Sequence, residues 1–155
     1  MTEARVQRGM YFEEFEPGYR VTTSARTVTE ADIVAFAALS GDWNPIHVDA
    51  EYASTTAFGE RVAHGLLGLS IATGLAVRMG FMDDTIIAFR SMDWKFSAPI
   101  KIGDTIHATV QVAETQALPR LGGGQVVFNV EILNQRGVAV PRGAWAMLVR
   151  SRPAV

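Results

Sequence analysis

Residues 65–77, Gly-Leu-Leu-Gly-Leu-Ser-Ile-Ala-Thr-Gly-Leu-Ala-Val, carry no charge and are apolar at every helical angle. A helix without a polar face is expected to be covered on all sides. The stretch is too short to cross a bilayer, which takes about 20 residues. The rest of the chain must therefore supply the cover. Gly68 and Gly74 each cost this helix roughly 1 kcal/mol against Ala. Their presence points to another stretch of backbone approaching closely.

The cover is legible further along. From about residue 85 the apolar period becomes two, as in antiparallel strands with one face on a core. Met92, Trp94 and Phe96 alternate with Ser91, Asp93 and Lys95. Ile106, Ala108, Val110 and Val112 alternate with His107, Thr109 and Gln111, and Val126, Phe128, Val130 and Ile132 with Val127, Asn129 and Glu131. Residues 144–149 read as a last strand covered on both faces, with connections at 121–124 and 134–137. Upstream, residues 1–18 read as an extended lead-in ending at Pro17-Gly18, and residues 19–28 as a first strand. Thr29 to Asp32 forms a capping signal, and Ile33, Phe36 and Ala37 follow on one helical face. A short helix is expected near 50–56. One apolar helix followed by long antiparallel strands makes an α+β domain, a sheet wrapped around a helix. No linker divides residues 1–155, so one domain is expected.

Composition narrows the function. With 14 Lys+Arg against 16 Asp+Glu, a net charge of −2 leaves no basic footprint for nucleic acid. The absence of Cys excludes disulfides, thiolate nucleophiles and Cys-based zinc sites, and three scattered His argue against a His-rich metal cage. Residues 1–20 lack the apolar core of a signal peptide. A cytoplasmic protein with no membrane span is the expectation.

The segment from Ser40 to Asp49, Ser-Gly-Asp-Trp-Asn-Pro-Ile-His-Val-Asp, is the chemically suggestive one. Pro45 prevents a continuous helix and restricts Asn44, whose amide can tie down nearby backbone. A loop so stiffened can aim Asp42 and His47 at one point, as acid–base chemistry on a water requires. By spacing alone, the same residues read first as turn formers. Gly65 opens the apolar helix after Val62-Ala63-His64. Its exposed N–H could hold an oxygen that gains charge during a reaction, or the glycine could answer only a backbone need. His64 reads as a packing residue under the loop, and His107 as a solvated or interfacial one.

Taken together, residues 36–49, Ala57-Phe58 and Val62 to Leu67 resemble the hydratase-2 motif of the MaoC-like, (R)-specific enoyl-CoA hydratases, which are hot-dog proteins. The resemblance spans about residues 19–150 and is most specific over 36–75. Trp94 to Pro99 and Ile102-Gly103-Asp104 are similar to the family's first long strand and the turn after it. The resemblance implies an Asp42/His47 catalytic dyad, a supporting Asn44 and an oxyanion donor at the Gly65 N–H. It implies that Thr73, where the family often has Ser, donates a hydrogen bond to Asp42. Ala50 departs from a common Pro, a change in the loop alone.

The substrate so implied is a trans-2-enoyl thioester of coenzyme A or an acyl carrier protein, with no metal and no separate cofactor. Trp43, Leu66 and Leu69, with Met79, are candidates to line the acyl pocket. Twelve of the 14 basic residues are Arg, which suits phosphate binding, but none is assigned to the coenzyme. A single hot-dog unit leaves a sheet edge open, so a homodimer is expected. Two other readings are an acyl-CoA thioesterase on the same fold and a non-catalytic subunit of a dehydratase complex.

Overall fold

The computed structural model describes residues 7–154; residues 1–6 of the expected lead-in, and Val155, lie outside them. The described chain runs β1 (Arg20–Thr22), β2 (Arg26–Thr27), α1 (Glu30–Ser40), α2 (Pro45–Val48), α3 (Ala50–Ser54), α4 (Gly65–Arg78), β3 (Ile86–Phe96), β4 (Thr105–Leu118), β5 (Gly123–Leu133) and β6 (Ala139–Arg150). The strands pair antiparallel in the order β1-β4-β5-β6-β3, with β2 beside β4. This is the α+β arrangement expected, with α4 packed against the sheet.

Local chemistry explains the elements. Thr29 caps α1 in a reciprocal box with Asp32, and Gly41 ends the helix at φ 77°. Alternation on β4 and β5 puts Ile106, Ala108, Val110, Val112, Val126, Phe128, Val130 and Ile132 into one core. In β6, residues 145–149 are all buried, since neighbouring strands and both faces cover them. Phe15, Phe81 and Phe128 meet edge to face beneath the sheet.

Several expectations are corrected. The first strand is two short pieces, because Thr23 turns its hydroxyl into the ladder and accepts from the Ala108 N–H at 2.9 Å. The lead-in is not extended throughout: Phe12–Glu14 forms a single 3-10 turn, closed by Glu14. Pro45 does more than interrupt a helix, since it begins the one-turn α2 at the position where its missing N–H costs nothing. The central helix is not covered all round. Leu66, Ser70, Gly74 and Val77 form an exposed stripe, with Leu66 60% and Val77 55% accessible. Gly68 faces the Ile100 side chain rather than backbone, and Gly74 faces open space.

The strand at 92–96 is also corrected. β3 is exposed or half-exposed along its whole length, with Met92 45% and Phe96 57% accessible. Among the described residues it pairs with β6 alone. Met92 and Phe96 lie open at a sheet edge, while Trp94 between them packs against the core and stacks on Trp145.

Candidate active site

Three elements converge at the N-terminal end of α4. The first is the turn between α1 and α2. The Ser40 hydroxyl donates to the Phe36 carbonyl and accepts from the Asp42 N–H. Asp42 Oδ1 accepts from the Asn44 N–H at 3.2 Å, and Asn44 Oδ1 caps α2 through the Ile46 N–H at 3.3 Å. These short-range bonds fix the carboxylate at the exposed lip of the site. Asn44 thus bonds to the Asp42 carboxylate through its backbone N–H and caps α2 with its side chain.

The second element is α2, which carries His47 into the interior. Its Nδ1–H donates to the Val62 carbonyl at 2.7 Å, because a carbonyl can only accept. The neutral ring is thereby left with its lone pair on Nε2, as a general base requires. Burial holds the His47 imidazole below its ordinary value of 6.5. The bond to Val62 opposes this, the nearby His64 adds to it, and the Asp42 charge opposes it.

The third element is the entry to α4. Gly65 and Leu66 occupy the first turn, whose N–H groups have no partner within the helix. His64, just before, is buried and stacks on His47 with ring centroids 3.9 Å apart at 28°. Its Nε2–H donates to the Asp42 backbone carbonyl at 2.9 Å. A carboxylate oxygen of Asp42 and a ring nitrogen from each histidine all lie within 4.8 Å of one another. This cluster is a poor metal cradle. An imidazole ligates in its own plane, and rings stacked face to face do not converge on an ion about 2.0–2.1 Å from each.

His47, His64 and Gly65 open onto a cleft of about 430 Å³. Apart from Ser97, its other walls are apolar and come from Ile46, Phe58, Leu66, Phe96, Pro99 and Ile100, among others. The 96–100 segment is held in place by the Ala63 N–H, which donates to the Ile100 carbonyl at 2.8 Å. Phe96 lies so close to the helix entry that a Cβ at Gly65 would fall 2.6 Å from its ring. The cleft joins a lone-pair nitrogen, unpaired helix N–H groups and an apolar wall, and the exposed Asp42 carboxylate, which is not among its lining residues, lies within 4.8 Å of a ring nitrogen of each histidine. That set can activate water beside an apolar chain and hold a developing oxyanion.

The candidates divide accordingly. Asp42, His47 and Gly65 come together, and Leu66 lines the cleft. Leu69 does not: although it follows Gly65 and Leu66 by one turn of α4, its side chain is buried in the core. Met79 packs against the core as well, and Trp43 is 53% exposed outside the cleft walls. The expected Thr73–Asp42 bond is corrected: Thr73 Oγ1 donates to the Ser70 carbonyl at 2.7 Å, within its own helix. A threonine in a helix can satisfy its hydroxyl on the preceding turn, and spacing alone does not reveal that choice. His107 is half-buried on β4, away from the site.

Sequence reasoning missed Arg61. Its Nε donates to the His47 carbonyl at 2.8 Å and its guanidinium pairs with Glu30 at 2.7 Å, tying α2 to α1. Those partners are far apart in sequence, so no local pattern marks them.

Comparisons with known proteins identify the family. A family profile described as MaoC like domain matches residues 14–130. The chain is 42% identical over 103 residues to an (R)-specific enoyl-CoA hydratase of Rhodospirillum rubrum, covering 66% of this chain and 69% of that protein. It is 47% identical over 97 residues to protein MaoC of Klebsiella aerogenes, covering 63% of this chain but only 29% of that longer protein. Among solved structures, a monoamine oxidase regulatory protein from Archaeoglobus fulgius superposes with a TM-score of 0.89 at 37% identity, covering 97% of this chain and all of that one. A double hot-dog protein of Mycobacterium tuberculosis supports the fold alone, at 16% identity with a TM-score of 0.83, over 95% of this chain and 46% of that one. The chain has the hot-dog fold and belongs to the MaoC-like dehydratase family.

Proposed function

We propose that the protein hydrates trans-2-enoyl thioesters to (R)-3-hydroxyacyl thioesters and catalyses the reverse dehydration. The observation that carries this reading is the tautomer of His47. With Nδ1–H bound to Val62, the Nε2 lone pair is free beside Asp42 and the apolar cleft. The similarity to a protein named as an (R)-specific enoyl-CoA hydratase supports the substrate class and the configuration.

In this scheme Asp42 and His47 hold one water at the β-carbon. The water loses a proton to the dyad as its oxygen bonds to that carbon, and the dyad returns a proton to the α-carbon. The double-bond electrons pass onto the thioester oxygen, which the Gly65 N–H stabilises until the α-carbon is protonated. Only protein groups and water take part, and coenzyme A or an acyl carrier protein is the substrate's handle.

The reading includes a homodimer. β3 offers an unpaired edge with Ile87, Phe89, Met92 and Phe96 exposed. Such an edge invites pairing with a second strand, and a second copy would also cover its apolar side chains. Sedimentation is expected to give a dimer; an active monomer contradicts this part.

Incubation with crotonyl-CoA tests the chemistry. Loss of enoyl absorbance without free thiol is the expected result. Release of thiol indicates a thioesterase; no change indicates a non-catalytic subunit or a different acyl chain, which a panel of straight, branched and dicarboxylic enoyl-CoAs separates.

A further inference from the structure

We infer that His64 is the positioning residue of this site, holding Asp42 and His47 in register with the Gly65 N–H; the inference rests on the function proposed above. Three contacts converge on its ring. The Nε2–H donates to the Asp42 backbone carbonyl at 2.9 Å, one face stacks on His47 at 3.9 Å, and Phe36 packs against the ring at 5.0 Å. His64 is 2% exposed, so its ring is enclosed, although Asp42 at the other end of the bond is exposed. Nδ1 has no hydrogen-bond partner among the described residues, so the bond to Asp42 is the ring's one polar anchor.

The consequence lies in chain connectivity. Asp42 sits at the exposed lip, where its own bonds reach only Ser40 and Asn44. His64 provides the link from that loop to the helix 22 residues further on. The next residue is Gly65, the proposed oxyanion donor. One dipeptide therefore relates Asp42 to the group that holds the thioester oxygen, while His47 is also held by Val62 three residues before Gly65. The two reacting ends of the substrate are a fixed few bonds apart, so their protein partners must keep a matching separation. His64 touches no reacting atom in this scheme and acts through Asp42 and His47.

Three substitutions separate the bond from the packing. Gln places an N–H close to the position of the histidine Nε2, Asn places it short of there, and Phe keeps a ring for stacking but has no donor. His64→Phe and His64→Asn are expected to lower kcat for crotonyl-CoA about 10- to 100-fold, the range a misplaced catalytic group costs, with KM nearly unchanged. His64→Gln is expected to retain kcat within about threefold, since it keeps the donor that holds Asp42. Circular dichroism and thermal unfolding identify folded variants for comparison.

A folded His64→Phe with wild-type kcat overturns the inference while leaving the hydratase reading intact. Equal loss in the Gln, Asn and Phe variants also overturns it, because the bond to Asp42 is then not the cause. A rise in KM with kcat at the wild-type value means that His64 acts only through the cleft it lines, and overturns the inference as well. A wild-type protein without hydration activity overturns the proposed function itself, and this role with it.

Discussion

β3 and β5 are both eleven residues long, and both alternate apolar with polar side chains. β5 buries Val126, Phe128, Val130 and Ile132 almost completely, whereas β3 leaves Phe89, Met92 and Phe96 in the open. The difference is one of neighbours. β5 lies between β4 and β6, and β3 has β6 alone. Alternation therefore reports which side chains share a face; what covers that face depends on the rest of the assembly. The cleft lies where the two regimes meet, with His47 and His64 in the buried half and Phe96 at the end of the open edge.

The largest expected effect is on the buried side. His47→Gln and Asp42→Asn should each lower hydration about 10²- to 10⁴-fold with the fold intact, since each keeps shape but removes acid–base capacity. Because burial holds His47 below 6.5, the neutral base persists to lower pH than a free imidazole. The acidic limb of kcat/KM is therefore expected below that value, and a limb above it contradicts the assignment.

A direct contrast of the strands comes next. Phe128→Ala, fully inside, should cost about 3–5 kcal/mol in denaturant unfolding. Met92→Ala on the edge should leave the isolated chain within about 0.5 kcal/mol, and should weaken the dimer at low concentration. Equal losses would mean that β3 is covered as thoroughly as β5 within a single chain.

Two glycines on α4 make the same comparison on one helix. A Cβ at Gly68 would lie 2.6 Å from Ile100 Cδ1, whereas nothing lies within 4 Å of one at Gly74. Gly74→Ala should raise stability by up to about 1 kcal/mol, and Gly68→Ala should be the less stable of the two by about 1–3 kcal/mol. A destabilising Gly74→Ala would reveal a surface that covers this stripe.

The smallest effect is expected at Thr73. Its hydroxyl is satisfied by Ser70, so Thr73→Val should turn over near the wild-type rate. A clear loss would mean that the side chain meets the dyad in the assembled protein.

What could be read in the sequence was local or periodic. The Thr29–Asp32 cap, the inward faces of β4 and β5, the buried β6 and the stiff Asp42–His47 loop all follow from residues close in the chain. The rest depends on partners distant in sequence. The exposed stripe of α4 follows from which side the sheet occupies, and Leu69 falls in the core because it turns toward that sheet. His64 and Arg61 anchor the loop through backbone carbonyls, which leave no mark in a pattern of side chains.

The central claim is that this cleft adds water to the β-carbon of an enoyl thioester. The most direct measurement is incubation with crotonyl-CoA in water enriched in heavy oxygen, followed by mass spectrometry of the products. The account predicts the label in the 3-hydroxyl group of an intact (R)-3-hydroxybutyryl thioester. Label in a free carboxylate, or no incorporation by the folded protein, would contradict it.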